Sequence, residues 1–466
     1  MSKYSPDPRL LNSGLALFDE VEAAEFPQTV LRYRNDQAAA SIGLDHLSDE
    51  DWTQHFGGFH PLPDNQPKPL ALRYHGHQFR QYNPDLGDGR GFLFAQVRDD
   101  RERLLDLGTK GSGRTPYSRG GDGRLTLKGG VREVLATAML EALGVPTSKS
   151  LSLIETGEQL VRGDEPSPTR SSVLVRLSHS HIRFGTFERL AYTGDTETMK
   201  GLIDYIVAHF YPDAKDAAGV FAATLKASAK LAARWMAAGF VHGVLNTDNM
   251  NITGESFDYG PYRFLPRFDP NFTAAYFDHS GLYAYGRQPD TVGWNLARLG
   301  SCLTLISPTE PLSATMAEYD AHYQRELGLA MCQRLNLAPK EDNEALARAV
   351  HGFLKSVSFD GSFEALFYDW FGGRLSEARA TNGPRADHYT GEAFDTFRAA
   401  IAGYETADAS KLGHPRFTEP DPETLLYDEI EAIWAGIAEH DDWSAFREKL
   451  ARIKAYGQAL SLDADG

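Results

Sequence analysis

The sequence predicts an α+β protein of two lobes, a small β-rich one followed by a larger helical one. Three observations carry that expectation. From about residue 86 to 112 the text breaks into short β-like runs divided by glycines. The links between these runs are short, as local pairing of neighbouring strands requires. After about residue 195 helical patterns dominate. At 466 residues, 42% hydrophobic and 11% aromatic, the chain has the length of two or three domain-sized units and the composition of a globular protein.

Residues 1 to about 70 mix short apolar patches with Pro and Gly, as in FGGFHPLPDNQPKP, and read as an irregular N-terminal extension. The small lobe is expected over 71–190. In it, Asp99-Asp100 and the charged turn after them join two β-like runs as a hairpin would. A Gly-rich loop, PYSRGGDGR, precedes a helix expected from Val131 to Leu143, with Val131, Leu135, Ala138 and Ala142 as its apolar stripe and Gly144 and Pro146 as its stop. Two further strands, LSLIE and SSVLVRL, complete the lobe. The remainder, 191–466, is expected to be the helical lobe. Its clearest helix runs from Ala217 to Ala238 and ends at Gly239, helical text resumes from Thr291 to about residue 355, and a C-terminal helical extension closes the chain.

The formal net charge of −17 argues against a surface built for nucleic acid or anionic membrane. A bound nucleotide would then need its own cluster of Arg and Lys. Two cysteines, Cys302 and Cys332, are too few for a disulfide framework or a four-thiolate zinc site, and read as small buried hydrophobes. The N-terminus has no signal-peptide pattern and no apolar run is long enough to span a bilayer, so a monomeric cytoplasmic protein is expected.

The most informative segment is His242 to Gly260, HGVLNTDNMNITGESFDYG. Kinases place a base Asp, an Asn five residues later, and then an Asp-aromatic-Gly triplet, with the Asn and second Asp holding magnesium on the phosphates. Here Asn249 and Asp258-Tyr259-Gly260 match the two metal positions. The position of the base is Val244, which takes no proton, while a carboxylate stands instead at Asp248. Oxygen ligands of this kind suit Mg2+ or Mn2+. Upstream, Lys110 ends a strand-like run and Glu133 lies in the next helix. They are either the kinase-type ion pair or a solvated turn residue and a surface helix residue, and periodicity does not separate the two. LGDGRG contributes Gly87, Gly89 and Arg90, and a second GDGR contributes Asp122 and Gly123. Either copy is a phosphate-approaching loop or a hairpin turn. Arg176 and Arg183 bracket RLSHSHIR and reach the interlobe cleft if that strand is the last before the hinge; otherwise they are exposed at a strand edge. His75 and His77 read as hydrogen-bonded structural residues rather than metal ligands.

Together GHQF, LGDGRG, KGSGRTPYSRGGDGR, VREVLA, VRLSHSHIRFGTFE and HGVLNTDNMNITGESFDYGPY resemble the selenoprotein O family, kinase-fold pseudokinases that act as protein adenylyltransferases. The resemblance runs over about residues 70 to 300, and the C-terminal hundred residues match poorly. It implies a kinase-like two-lobed fold with ATP inverted, so that AMP passes to Ser, Thr or Tyr hydroxyls of proteins, self-modification included. By that resemblance Gly87, Gly89, Arg90, Lys110, Asp122, Gly123, Arg176, Arg183 and Asp258 contact ATP. Glu133 orients Lys110, Asn249 and Asp258 hold Mg2+ or Mn2+, and Asp248 accepts the proton. Three other readings stand beside it: uridylyl transfer from UTP with manganese, a small-molecule phosphotransferase, and an inactive nucleotide-binding scaffold. Val244 weighs against the phosphotransferase. Retention of Lys110, Asp248 and both metal residues weighs against the scaffold. Family members commonly end in a Cys- or selenocysteine-containing tail, whereas this chain ends SLDADG, so the resemblance alone does not imply redox substrates or disulfide gating here.

Overall fold

The computed structural model describes residues 3–163, 165–356 and 361–462; the tail residues 463–466 of SLDADG lie outside them. The first half of the chain builds one antiparallel sheet. Its strands are β1 (Phe18–Glu20), β2 (Val30–Arg34), β3 (Leu70–Leu72), β6 (Leu93–Arg98), β7 (Leu104–Lys110), β8 (Leu125–Thr126), β9 (Lys149–Leu160) and β10 (Thr169–Ser178), in the order β1-β3-β6-β7-β10-β9-β2 with β8 on β10. A separate small hairpin, β4 (Gly76–Gln78) with β5 (Gln81–Asn83), branches off between β3 and β6.

The irregular extension expected over residues 1–70 is corrected by this topology. Its strands β1 and β2 form the two edges of the sheet, and its helices α1 (Asp36–Ser41) and α2 (Asp49–Phe56) cover one face. There Trp52 and Phe56 pack with Phe92, Phe94 and Val173. The opposite face carries α3 (Leu127–Ala142), whose Val131, Val134 and Leu135 join the main core with Leu153 and Leu174. With both faces covered, β10 is buried at nine of its ten positions, which is why SSVLVRL lacks polar alternation.

Helix α3 starts four residues earlier than expected. Thr126 caps it by accepting the Gly129 N–H at 3.1 Å. The helices Tyr427–His440 and Ser444–Leu460 brace its outer side, with Lys128 paired to Glu431 at 2.8 Å and Gly457 seated on Ala142.

The helical half follows with α4 (Phe184–Thr193), α5 (Thr196–His209), α6 (Ala217–Ala237), α7 (Gln288–Leu303), α8 (Thr309–Ala317) and α9 (Tyr319–Arg334). Gly239, at φ +61°, lets the chain leave α6 into β11 (Phe240–Val241), which pairs with β12 (Arg263–Phe264). That two-rung clasp closes the loop 242–262 at its base. Cys302 in α7 and Cys332 in α9 are buried, and burial pushes both thiols up to about 12. Among the described residues no helix is long and apolar enough to cross a membrane.

Candidate active site

The clasped loop faces the end of the sheet across a cleft of about 700 Å3, well within the size range of small-molecule sites. Its floor is an ion cluster centred on Asp258, which is held at φ +62°. Arg176, from β10, donates to Asp258 Oδ1 at 2.5 Å, and Arg183, the N-cap residue of α4, donates to Oδ2 at 2.8 Å. Lys110 Nζ, at the end of β7, lies 3.3 Å from Oδ1 and is also paired with Glu133 of α3. Burial opposes ionisation of Asp258, but Arg176, Lys110 and Arg183 hold its carboxyl well below the usual carboxylate range. Lys110, Glu133, Arg176 and Arg183 are all buried. Breaking a buried pair of this kind typically costs about 3–5 kcal/mol because the partner charge is stranded.

Arg183 is positioned by backbone pairing on both sides. Phe184 N–H donates to Met250 O at 2.9 Å and Ile252 N–H to Ile182 O at 3.1 Å. Its guanidinium also donates to the Asp248 carbonyl at 2.8 Å and lies over the rings of Tyr74 and Phe257.

Asp248 sits in a short 3-10 turn, Thr247–Asn249, at the lip of this floor. Burial pushes its carboxyl up to about 7 against the pull of Arg183, and its buried Oδ1 has no hydrogen-bond partner within the protein. A carboxylate at the cleft wall with its pKa raised and one oxygen unpartnered suits a group that receives a proton from a ligand. Asn249 Nδ2 donates to the carbonyl of Val244 at 2.9 Å. The residue standing where a kinase has its base therefore anchors the metal-type Asn, and the Asn Oδ1 is left as an acceptor.

The roof is made of the two GDGR loops and the segment between them. Gly87 packs under the Tyr117 ring so closely that a Cβ there would stand 2.3 Å from it. Gly123, at φ +70°, has the Gly113 carbonyl 2.2 Å from where a Cβ would be. Neither position has room for a side chain, so backbone comes to the cleft surface. Ser118 ties the loops together by donating to Gly89 O at 2.6 Å.

The cleft wall includes Gly87, Gly89, Arg90, Lys110, Asp122, Gly123, Arg176, Arg183, Asp248, Asn249 and Asp258 together. Glu133 stands behind Lys110. Eleven of the twelve residues singled out from sequence thus line one cavity. Asp122 lines it with its carboxylate already engaged, by Arg162 at 2.7 and 3.1 Å and by the Arg124 N–H at 3.0 Å. His75 and His77 hydrogen-bond to Tyr82 and Glu188. Around the cavity seven arginines and Lys110 face four aspartates, in a chain of net charge −17.

Comparison with known proteins decides what this cationic cleft belongs to. Residues 1–454 match the family described as Protein adenylyltransferase SelO. The chain belongs to the SelO protein adenylyltransferase family. A relative named Protein nucleotidyltransferase YdiU, from Gloeobacter violaceus, is 46% identical over 464 residues, covering 96% of this chain and 94% of that one. Its namesake from Synechocystis sp. is 44% identical across 96% of this chain and 98% of the other. A more distant one from Pseudomonas putida is 38% identical over 86% of this chain and 82% of its own length. The SelO match reaches well past residue 300, so the expectation that the C-terminal hundred residues match poorly is corrected.

Sequence reasoning missed several residues of this SelO-family cleft. Arg114, Arg119, Arg124 and Arg162 line it too. The first three stand in the RTPYSRGGDGR text, where counting cations around the loop would have found them. It also missed Glu188, a buried acid of α4. One Glu188 oxygen accepts Thr247 Oγ1 at 2.7 Å and the other meets His77 Nδ1 at 2.7 Å, while the His77 N–H donates to Thr247 Oγ1 at 2.7 Å. This three-residue network fixes the backbone one residue before Asp248.

Proposed function

We propose that this protein transfers AMP from ATP to Ser, Thr or Tyr hydroxyls of other proteins or of itself, within a kinase-like fold in which ATP lies inverted. The observation that carries the reading is the joint arrangement of the cleft: cations on floor and roof, an unpartnered Asp248, and an uncharged Val244 where a phosphoryl-transferring kinase needs its base. In this reading residues 71–190, with the edge strands supplied from before residue 70, form the nucleotide-binding lobe, and 191–466 form the helical lobe.

Arg176, Arg183 and Lys110, oriented by Glu133, hold the phosphates. Gly87, Gly89, Arg90, Asp122 and Gly123 close over them, with Asp122 acting through Arg162 and Arg124. The acceptor oxygen attacks the α-phosphorus, the α–β P–O bond breaks, pyrophosphate leaves and the hydroxyl proton passes to Asp248. Positioning and charge neutralisation supply most of the rate, since little other chemistry is asked of the protein.

The donor set fits a hard divalent cation. Asn249 Oδ1 and the Asp258 carboxylate are oxygen donors of the kind Mg2+ or Mn2+ takes, to be completed by phosphate oxygens and water. Asn249 and Asp258 would hold Mg2+ or Mn2+, which neutralises phosphate charge when bound.

The test is intact-mass analysis after incubation with ATP or UTP and either metal, with acceptor proteins present and absent. Addition of AMP supports the reading, addition of UMP moves the base preference to uridine, and addition of a phosphoryl group overturns it.

A further inference from the structure

Beside the cleft lies a belt of aromatic side chains that the nucleotide does not need. The hairpin β4–β5 turns at Phe79 and Arg80, both at positive φ (49° and 64°), and is fastened to the loop that carries Asp248. Its Phe79 N–H donates to Asn246 Oδ1 at 3.1 Å, next to the His77–Thr247 bond already described. Gly76 lies against Asp248, where a Cβ would stand 2.8 Å from Oδ1. The hairpin is therefore in fixed register with the proton acceptor.

From it the belt extends both ways. Phe79 packs on Tyr283 at 4.8 Å and Phe277 at 5.9 Å, and Phe277 on Tyr276 at 5.1 Å. On the other side His77 meets Trp294 at 5.3 Å, and Tyr82 meets Tyr192 at 5.5 Å. Tyr276, Tyr192 and Phe277 are 78%, 66% and 43% exposed. Scattered exposed aromatics are ordinary, but a connected run of them marks a contact surface. A second observation is electrostatic. Arg80 and Arg298 both lie over the Trp294 ring, and Arg189 acts on His75 and Tyr82. Arg80 is exposed, and neither it nor the half-buried Arg298 is in an ion pair among the described residues, whereas Arg189 also acts on Asp19 and Asp195.

We infer that this belt docks the acceptor protein. It would take the segment flanking the modified hydroxyl, with an aromatic side chain against Tyr276 and Phe277 and acidic side chains against Arg80 and Arg298. The inference rests on the AMP-transfer reading for its choice of occupant. Exposed aromatics and arginines are the groups that dominate protein–protein contacts, and unpaired cations on an acidic chain favour an acidic partner.

Two measurements on the full chain test it. Fluorescein-labelled peptides with acidic–aromatic, basic–aromatic or acidic–aliphatic flanks, their hydroxyl residue replaced by Ala, are titrated by anisotropy. The acidic–aromatic set should bind tightest. Tyr276→Ser with Phe277→Ser should weaken it about tenfold, Arg80→Glu should invert the charge preference, and thermal stabilisation by ATP should stay at the wild-type level. Binding that is indifferent to flank, or unchanged in the variants, overturns the inference. The same peptides with Ser, Thr or Tyr restored are then assayed for AMP addition. Selective binding without transfer would strike at the chemistry and leave the surface standing.

Discussion

Floor and roof of the cleft carry the same kind of charge in opposite conditions. On the floor Lys110, Arg176 and Arg183 are buried and engaged by Glu133 and Asp258. On the roof Arg90, Arg114 and Arg119 are exposed, and among the described residues none is in an ion pair. Buried charges are already desolvated and oriented when ligand arrives, so they act at short range with little screening. Exposed ones keep their water and side-chain freedom, and salt weakens them over a Debye length of about 10 Å. The floor should therefore govern rate and stability together, and the roof affinity alone.

Asp258→Ala gives that division its hardest test. It should remove about 10³-fold or more of the transfer rate and, by removing the carboxylate that three buried cations share, about 3–5 kcal/mol of stability. Intact-mass kinetics and thermal melts read the two effects, and a variant that melts normally would mean the floor is not the coupled unit described. Glu133→Gln comes next. Lys110 keeps a polar neighbour but loses its charge partner, and kcat should fall about 100-fold through misplacement of the phosphates; an unchanged kcat would show that Lys110 is oriented by Asp258 alone.

Thr247→Val is milder. It leaves Glu188 Oε2 without its donor, costs about 1–3 kcal/mol, and should lower kcat about tenfold as Asp248 loses its register, with ATP affinity unchanged. A rise in the ATP dissociation constant instead would place Thr247 with the nucleotide. The smallest effect belongs to the roof. Arg114→Ala combined with Arg119→Ala should weaken ATP binding about tenfold at low salt, with the melting temperature unmoved and the difference shrinking as salt is added. A salt-independent loss would put these arginines in the same class as the floor.

Much of this site was legible because its parts are local strings. LGDGRG, the second GDGR and the 242–260 segment each hold their residues within one loop, and the fold has only to bring the loops together. The Lys110–Glu133 pair was legible only through the family resemblance, and periodicity could not choose it, for a reason visible in α3. Twelve of its sixteen residues are buried, since the sheet covers one side and Ser444–Leu460 the other. A helix enclosed in this way has no single stripe, so the expected one missed Glu133 and counted Ala138, which is only half-buried. The edge strands β1 and β2 were hidden differently. Phe18–Glu20 is three residues long, and every residue of Val30–Arg34 is half-buried, so neither alternates between core and water. Their place is set by partners far along the chain, Leu70–Leu72 and the Ser152–Glu155 part of β9, which no local pattern announces.

The bond from Asn249 to Val244 has a consequence for how replaceable that position is. The anchor is a main-chain carbonyl, which every amino acid supplies, so the shape of the loop is indifferent to the side chain at 244. A carboxylate placed there would be an addition to a finished loop rather than the repair of a broken one. What separates this cleft from a phosphoryl-transferring one is thus a difference of reagents mounted on an intact frame.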